Sequence, residues 1–243
     1  MKKNPFKRIL CIVIAAVMLC SVFASTAAAA TKCACGHSPV VMISGFGATI
    51  LSEKQEDGSL KRVFPPDTKE ILKLLGVNAP DLVTGIIELL AQKGTDGIEK
   101  PMREIITSIV EPLRMNDDGT SYYDIVPILS GAKNTSLEAF TKNDQLDLVP
   151  YTGSEFLDME VIGDEIGDDH VFNFLYDWRL SHADVAAQLH DYLAEVCALT
   201  GHDKVSVYSI SQGSLLLGTY MYEYPNDNYI DRAVFDTPII QIG

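Results

Sequence analysis

Lys204-Val205-Ser206-Val207-Tyr208-Ser209-Ile210-Ser211-Gln212-Gly213 reads as a strand, a sharp turn and the start of a helix. Lys204 to Tyr208 is expected to be the strand and Gly213 to Tyr222 the helix. Ser209-x-Ser211-x-Gly213 at the junction is a variant of the Gly-x-Ser-x-Gly nucleophile elbow. The elbow needs small residues two before and two after its serine, because strand and helix pack closely around it. Gly213 meets that need, and Ser209 meets it less fully.

Strands and helices alternate on both sides of this stretch. Arg232 to Phe235 is expected to be a strand after it. Before it, His182 to about Leu199 carries Val185, Leu189, Leu193 and Val196 at helical spacing. Ser181 stands as N-cap of that helix and Gly201 as its C-cap glycine. Val171 to Tyr176 is expected to be a strand ending at Asp177-Trp178-Arg179. Val40-Val41-Met42-Ile43, closed by Ser44-Gly45-Phe46-Gly47, reads as a buried strand entering a tight turn. This alternation predicts an α/β fold with a mostly parallel sheet and right-handed crossovers.

Residues from about 51 to 149 interrupt the alternation, and about 55–145 is expected to be a helical insertion. Asp67 suits a cap for a helix through Leu75 that stops at Gly76. Pro80 and Pro101 suit the first turns of two more helices. Two readings stay open: a helical subdomain packed on itself, or a lid over a lipid-binding cleft.

Ser211 is the candidate nucleophile, with the helix N-terminus behind it offering backbone donors to a developing oxyanion. Gln212 N–H is one such donor. A second is expected from the loop after an earlier strand, where Phe46 N–H lies between two glycines. Asp236 ends the last strand at a place where some lipases hold their acid. His37, His170, His182, His190 and His202 all precede Ser211, so nothing after it supplies the expected general base. Asp177 is expected to partner Arg179 or backbone amides. His202 is expected at the end of the sheet opposite Ser211.

Together, the strand ending in Gly45-Phe46-Gly47, the Tyr176-Asp177-Trp178-Arg179 block and the Ser209–Gly213 elbow resemble the lecithin:cholesterol acyltransferase-like family. Their order and approximate spacing are similar, over roughly residues 39–243. Ser44 stands where that family has Pro, and Ile210 where it commonly has His. The resemblance implies an α/β-hydrolase-type fold, lipid ester substrates, an acyl-enzyme and no cofactor. It implies Ser211 as nucleophile and the Phe46 and Gln212 amides as oxyanion hole. Trp178 would lie near the cleft as a substrate contact, or pack in the core. Because the acid and base of such folds sit on later strands, the chain is expected to be the N-terminal part of the fold.

Lys2, Lys3, Lys7 and Arg8, the apolar run Ile9 to Ala24 and Ala27 to Ala30 form a secretory signal pattern, so residues 1–30 are expected to be cleaved and the protein secreted. The whole chain has a net charge of −14; without the leader, 15 basic residues face 33 acidic ones, a net −18. Such a chain repels nucleic acid. Contact with a membrane or micelle would run through the apolar helices of the insertion. Cys33, Cys35 and Cys197 remain, an odd number that closes no disulfide framework. Cys33-Ala34-Cys35-Gly36-His37 offers three metal ligands, fewer and closer than a structural zinc site wants. It is expected to be a tether or a strained local disulfide, and no metal site is assigned.

The expected function is a lipid acyl-ester hydrolase or O-acyltransferase. A non-catalytic secreted lipid-binding or interaction module is the alternative. An esterase or thioesterase for non-lipid substrates shares the elbow but has no need of an apolar insertion.

Overall fold

The computed structural model describes residues 32–91, 94–148 and 154–238. The expected leader lies outside them. Four strands form a parallel sheet: β1 (Val40–Ile43), β5 (Val171–Phe174), β6 (Val205–Ile210) and β7 (Ile230–Asp236), in the order β5-β1-β6-β7. The protein is therefore α/β with a mostly parallel sheet, as the alternation predicts. β1 lies centrally, with Ile43 level with Phe174 on one side and Ser209 on the other.

Helices cover both faces of this sheet. Val41, Ile43, Phe172, Phe174, Val205 and Val207 pack with Val185, Leu189, Leu193, Leu216 and Leu217. Those last residues come from α5 (His182–Thr200) and α6 (Gln212–Glu223). Met42 and Val171 point the other way, to Leu137, Phe140 and Met159. These lie on α3 (Leu137–Lys142) and α4 (Ser154–Ile166). The period-two alternation of a strand thus sorts its side chains between two apolar layers. Ser181 caps α5 by accepting from the Ala183 N–H at 3.3 Å, and Gly201 ends it at φ 69°.

The insertion differs from its expected form in three ways. It contains a three-stranded antiparallel sheet, ordered β3-β2-β4, from β2 (Leu51–Lys54), β3 (Leu60–Phe64) and β4 (Ile125–Pro127). The helix capped by Asp67 does not stop at Gly76 but runs on as α1 (Thr68–Leu90), through Pro80. A proline inside a helix removes one hydrogen bond and crowds the carbonyl four residues back, here that of Gly76. Third, α2 (Asp96–Val110) starts at Asp96, so Pro101 lies beyond its first turn. Gly85 and Gly97 bring α1 and α2 together: a Cβ on Gly97 would sit 3.0 Å from the Gly85 Cα. No helix among the described residues is long and apolar enough to cross a membrane.

The turn after β5 is held by a buried ion pair. Arg179 donates through Nε to Asp177 Oδ1 at 2.9 Å and through Nη2 to Oδ2 at 2.6 Å. Its own N–H also donates to Oδ1, at 3.1 Å. The side chains are 5% and 3% exposed, so neither charge has water to fall back on. Asp177 is thus the structural partner the sequence suggests. Arg179→Ala is expected to cost about 3–5 kcal/mol of stability by leaving a buried carboxylate unpaired. Urea denaturation reads this, and replacing Asp177 by Asn in the same variant is expected to restore part of the loss.

Candidate active site

β1, β5 and β6 are parallel neighbours, so the loops that follow them emerge side by side at one edge of the sheet. These loops carry residues 44–50, 175–181 and Ser211. Ser211 sits between the last residue of β6 and the first of α6, at φ 52° and ψ −118°. Non-glycine residues rarely adopt such a backbone, which costs on the order of 1–3 kcal/mol. The strand-to-helix reversal within one residue demands it. The Ser211 N–H donates to the Asp236 carbonyl at 3.1 Å, which pins the turn to the end of β7.

Two glycines make room for this turn. A Cβ on Gly213 would run into the Ile43 carbonyl oxygen and lie 2.7 Å from that of Ser44. A Cβ on Gly45 would lie 3.1 Å from the Ser211 Cβ and 3.6 Å from its Oγ. The first turn of α6 therefore rests on the end of β1, and the 44–47 loop lies against the serine. Ser209 does more than stay small. It is fully buried, its Oγ donates to the Val234 carbonyl at 3.0 Å, and Ser214 Oγ donates to its carbonyl at 3.1 Å.

Ser211 is half-buried, and no hydrogen bond among the described residues engages its Oγ. The Gln212 N–H, first in its helix, and the Phe46 N–H likewise meet no acceptor among the described residues. An anion beside Ser211 would find these donors free. The Gln212 side chain is not part of that set: its Nε2 donates to the Trp178 carbonyl at 2.9 Å, and its buried Oε1 has no partner among the described residues.

The three loops are sewn together. Tyr176 OH donates to the Ser44 carbonyl at 2.8 Å, and Trp178 Nε1 donates to the Thr49 carbonyl at 3.3 Å. The Trp178 ring is 7% exposed and meets the rings of Phe46 and Phe64 edge-on at 4.4 and 5.0 Å. Trp178 thus walls the loop cluster from within, while Phe46 is the ring that faces solvent, 68% exposed. Phe64 ends β3, four residues before α1, so the insertion is rooted at the rim of this site.

The acid and base are less complete. Asp236 is level with Ile210, but its Oδ2 accepts from Tyr208 OH at 2.6 Å. None of the five histidines hydrogen-bonds Ser211 among the described residues. His202 precedes β6 while Ser211 follows it, so the two lie at opposite ends, as expected. His182 begins α5 on the Ser211 side of the sheet. Its Nε2 is buried without a partner among the described residues, and burial lowers its pKa. Sequence reading passed over Thr49 and gave the Tyr176 hydroxyl no role, although both position the loops, because such side-chain-to-backbone bonds leave no periodic signal.

The backbone strain at Ser211 has a measurable consequence. Ser211→Gly is expected to be more stable than Ser211→Ala by about 1 kcal/mol, because only glycine accepts this φ without strain. Equal midpoints in thermal or urea unfolding would contradict the strained geometry. Gly213→Ala is expected to lose at least about 1–3 kcal/mol through overpacking against β1. No protein-family model matches this chain, and no curated protein matches it either.

Proposed function

We propose that the chain carries the nucleophile and oxyanion donors of a secreted lipid acyl-ester hydrolase or O-acyltransferase of α/β-hydrolase type. The reading rests above all on Ser211, held at φ 52° between a parallel strand and a helix against two glycines. This is the setting that exposes a serine hydroxyl beside unpaired helix N–H groups. In this scheme Ser211 Oγ attacks the ester carbonyl carbon, and the amides of Phe46 and Gln212 receive the negative charge. The alcohol leaves, and the acyl-enzyme is released to water or to an acceptor hydroxyl. The Ser211 proton passes to a general base and from it to the departing alkoxide, so that a neutral alcohol leaves. No step requires a cofactor.

Helices α1 and α2 are proposed as a lid. They leave Leu72, Val77, Ile87, Leu90, Met102 and Ile106 exposed. Apolar patches of this kind mark surfaces that meet lipid or another protein. The net charge of −14 opposes attraction to anionic surfaces, which leaves apolar burial to drive the contact.

The protein is expected to be labelled by an alkyl fluorophosphonate at Ser211, located by peptide mass spectrometry. Labelling that persists in Ser211→Ala would overturn the assignment. For the lipid substrate class, ester hydrolysis is expected to rise sharply as the substrate passes its critical micelle concentration. A rate that saturates on monomeric ester points instead to a soluble esterase.

A second reading, a non-catalytic lipid-binding module, is favoured by the Asp236 carboxylate being held by Tyr208 and by no histidine reaching Ser211 among the described residues. It predicts binding to neutral phosphatidylcholine vesicles with no fluorophosphonate labelling.

A further inference from the structure

The opposite edge of the sheet carries a second cluster. Cys33 and Cys35 precede β1, His170 precedes β5 and His202 precedes β6. Because these strands are parallel neighbours, the segments that enter them converge just as the loops that leave them do. One Sγ or ring nitrogen from each of the four residues lies within 4.8 Å of the others. Cys35 Sγ is 3.2 Å from His202 Nε2 and 3.8 Å from His170 Nε2, and Cys33 Sγ is 3.8 Å from His170 Nε2. Zinc bonds of about 2.3 Å to sulfur and about 2.05 Å to nitrogen, at tetrahedral angles, hold S and N about 3.6 Å apart. The three separations straddle that value.

Two further contacts prepare the site. His170 Nδ1 lies 2.8 Å from Asp169 Oδ1, which fixes that nitrogen as the donor and leaves Nε2 with its lone pair toward the sulfurs. The Cys33 N–H donates to the Gly201 carbonyl at 3.0 Å, which holds the N-terminal segment against the loop of His202. His202 Nδ1 is buried without a partner among the described residues. His37, counted as a ligand in the sequence, is exposed and lies outside the cluster. Cys197 is also excluded: it is packed in the core, and burial pushes its thiol up to about 11. Cys33 and Cys35 are free thiols rather than a local disulfide.

We propose that Cys33, Cys35, His170 and His202 bind one structural Zn²⁺. The two thiols and two imidazoles match the ligand preference of zinc. Binding releases the two thiol protons to solvent, and the thiolate charges cancel that of the ion. Four protein ligands leave no open position, so the ion fastens residues 33–37 to the sheet and takes no part in chemistry. Ser211 lies at the far end of β6, six strand residues or about 20 Å away. The zinc site therefore stands or falls independently of the proposed ester chemistry.

The test uses the full chain, without a polyhistidine tag, purified in the absence of chelators. Metal analysis is expected to find about one zinc per chain. Dialysis against EDTA is expected to lower the Tm by roughly 5–15 °C, and ZnCl₂ but not MgCl₂ is expected to restore it. Cobalt(II) substitution is expected to give the intense visible absorption of a tetrahedral thiolate site, lost in Cys35→Ser. Asp169→Asn, an exposed change that spares the fold, is expected to weaken zinc binding about 10–100-fold. Less than a tenth of an equivalent of zinc in the folded protein overturns the site. A Cys33–Cys35 disulfide in the native protein, or full zinc retention by the Cys35→Ser/His202→Ala variant, does the same.

Discussion

The first turn of α6 rests directly on the carbonyls that end β1, and most of the site follows from that contact. Only a glycine at 213 lets the helix backbone approach so closely. Once it does, the chain has a single residue in which to change from strand to helix, and Ser211 takes up the resulting strain. The contact also sets Gly45 against the serine, since residues 44–47 leave the same strand end. Strain, donors and hydroxyl are thus consequences of one close approach between two backbones.

A second level of support keeps the loops from drifting. Asp177 and Arg179 lock the turn after β5, and the Gln212 side chain reaches across to the Trp178 carbonyl. Tyr176 and Trp178 bind the β1 loop through its carbonyl oxygens. Side chains from one loop satisfy the backbone of the next, which is what buried irregular chain requires.

The parallel sheet was legible because its strands are short apolar runs that alternate with capped, amphipathic helices. The elbow was legible because Gly213 and Ser211 fall at that alternation's junction. The small antiparallel sheet was not, although Asp57-Gly58 between β2 and β3 is a recognised hairpin signal. Leu51-Ser-Glu-Lys and Leu60-Lys-Arg-Val-Phe are too polar to announce strands, and β3 buries only Val63. The continuation of α1 through Pro80 was hidden because local preference argues against it, while pairing with α2 at Gly85 and Gly97 favours it. The cysteine–histidine cluster was hidden for a different reason. Its members span residues 33 to 202, and only strand order reveals that their segments meet.

β7 has β6 on one side and, among the described residues, no strand on the other. Parallel strands are normally covered on both faces, yet Val234 and Phe235 of β7 are 50% and 41% exposed. A strand whose outer N–H and C=O groups meet no neighbouring strand among the described residues is a template for another chain. Asp231 and Arg232, exposed on the same strand, set charge against such pairing. The strand whose outer edge is most open is thus also the one whose Val234 and Asp236 carbonyls hold Ser209 and Ser211 in place, so whatever covers that edge bears on the geometry of the turn.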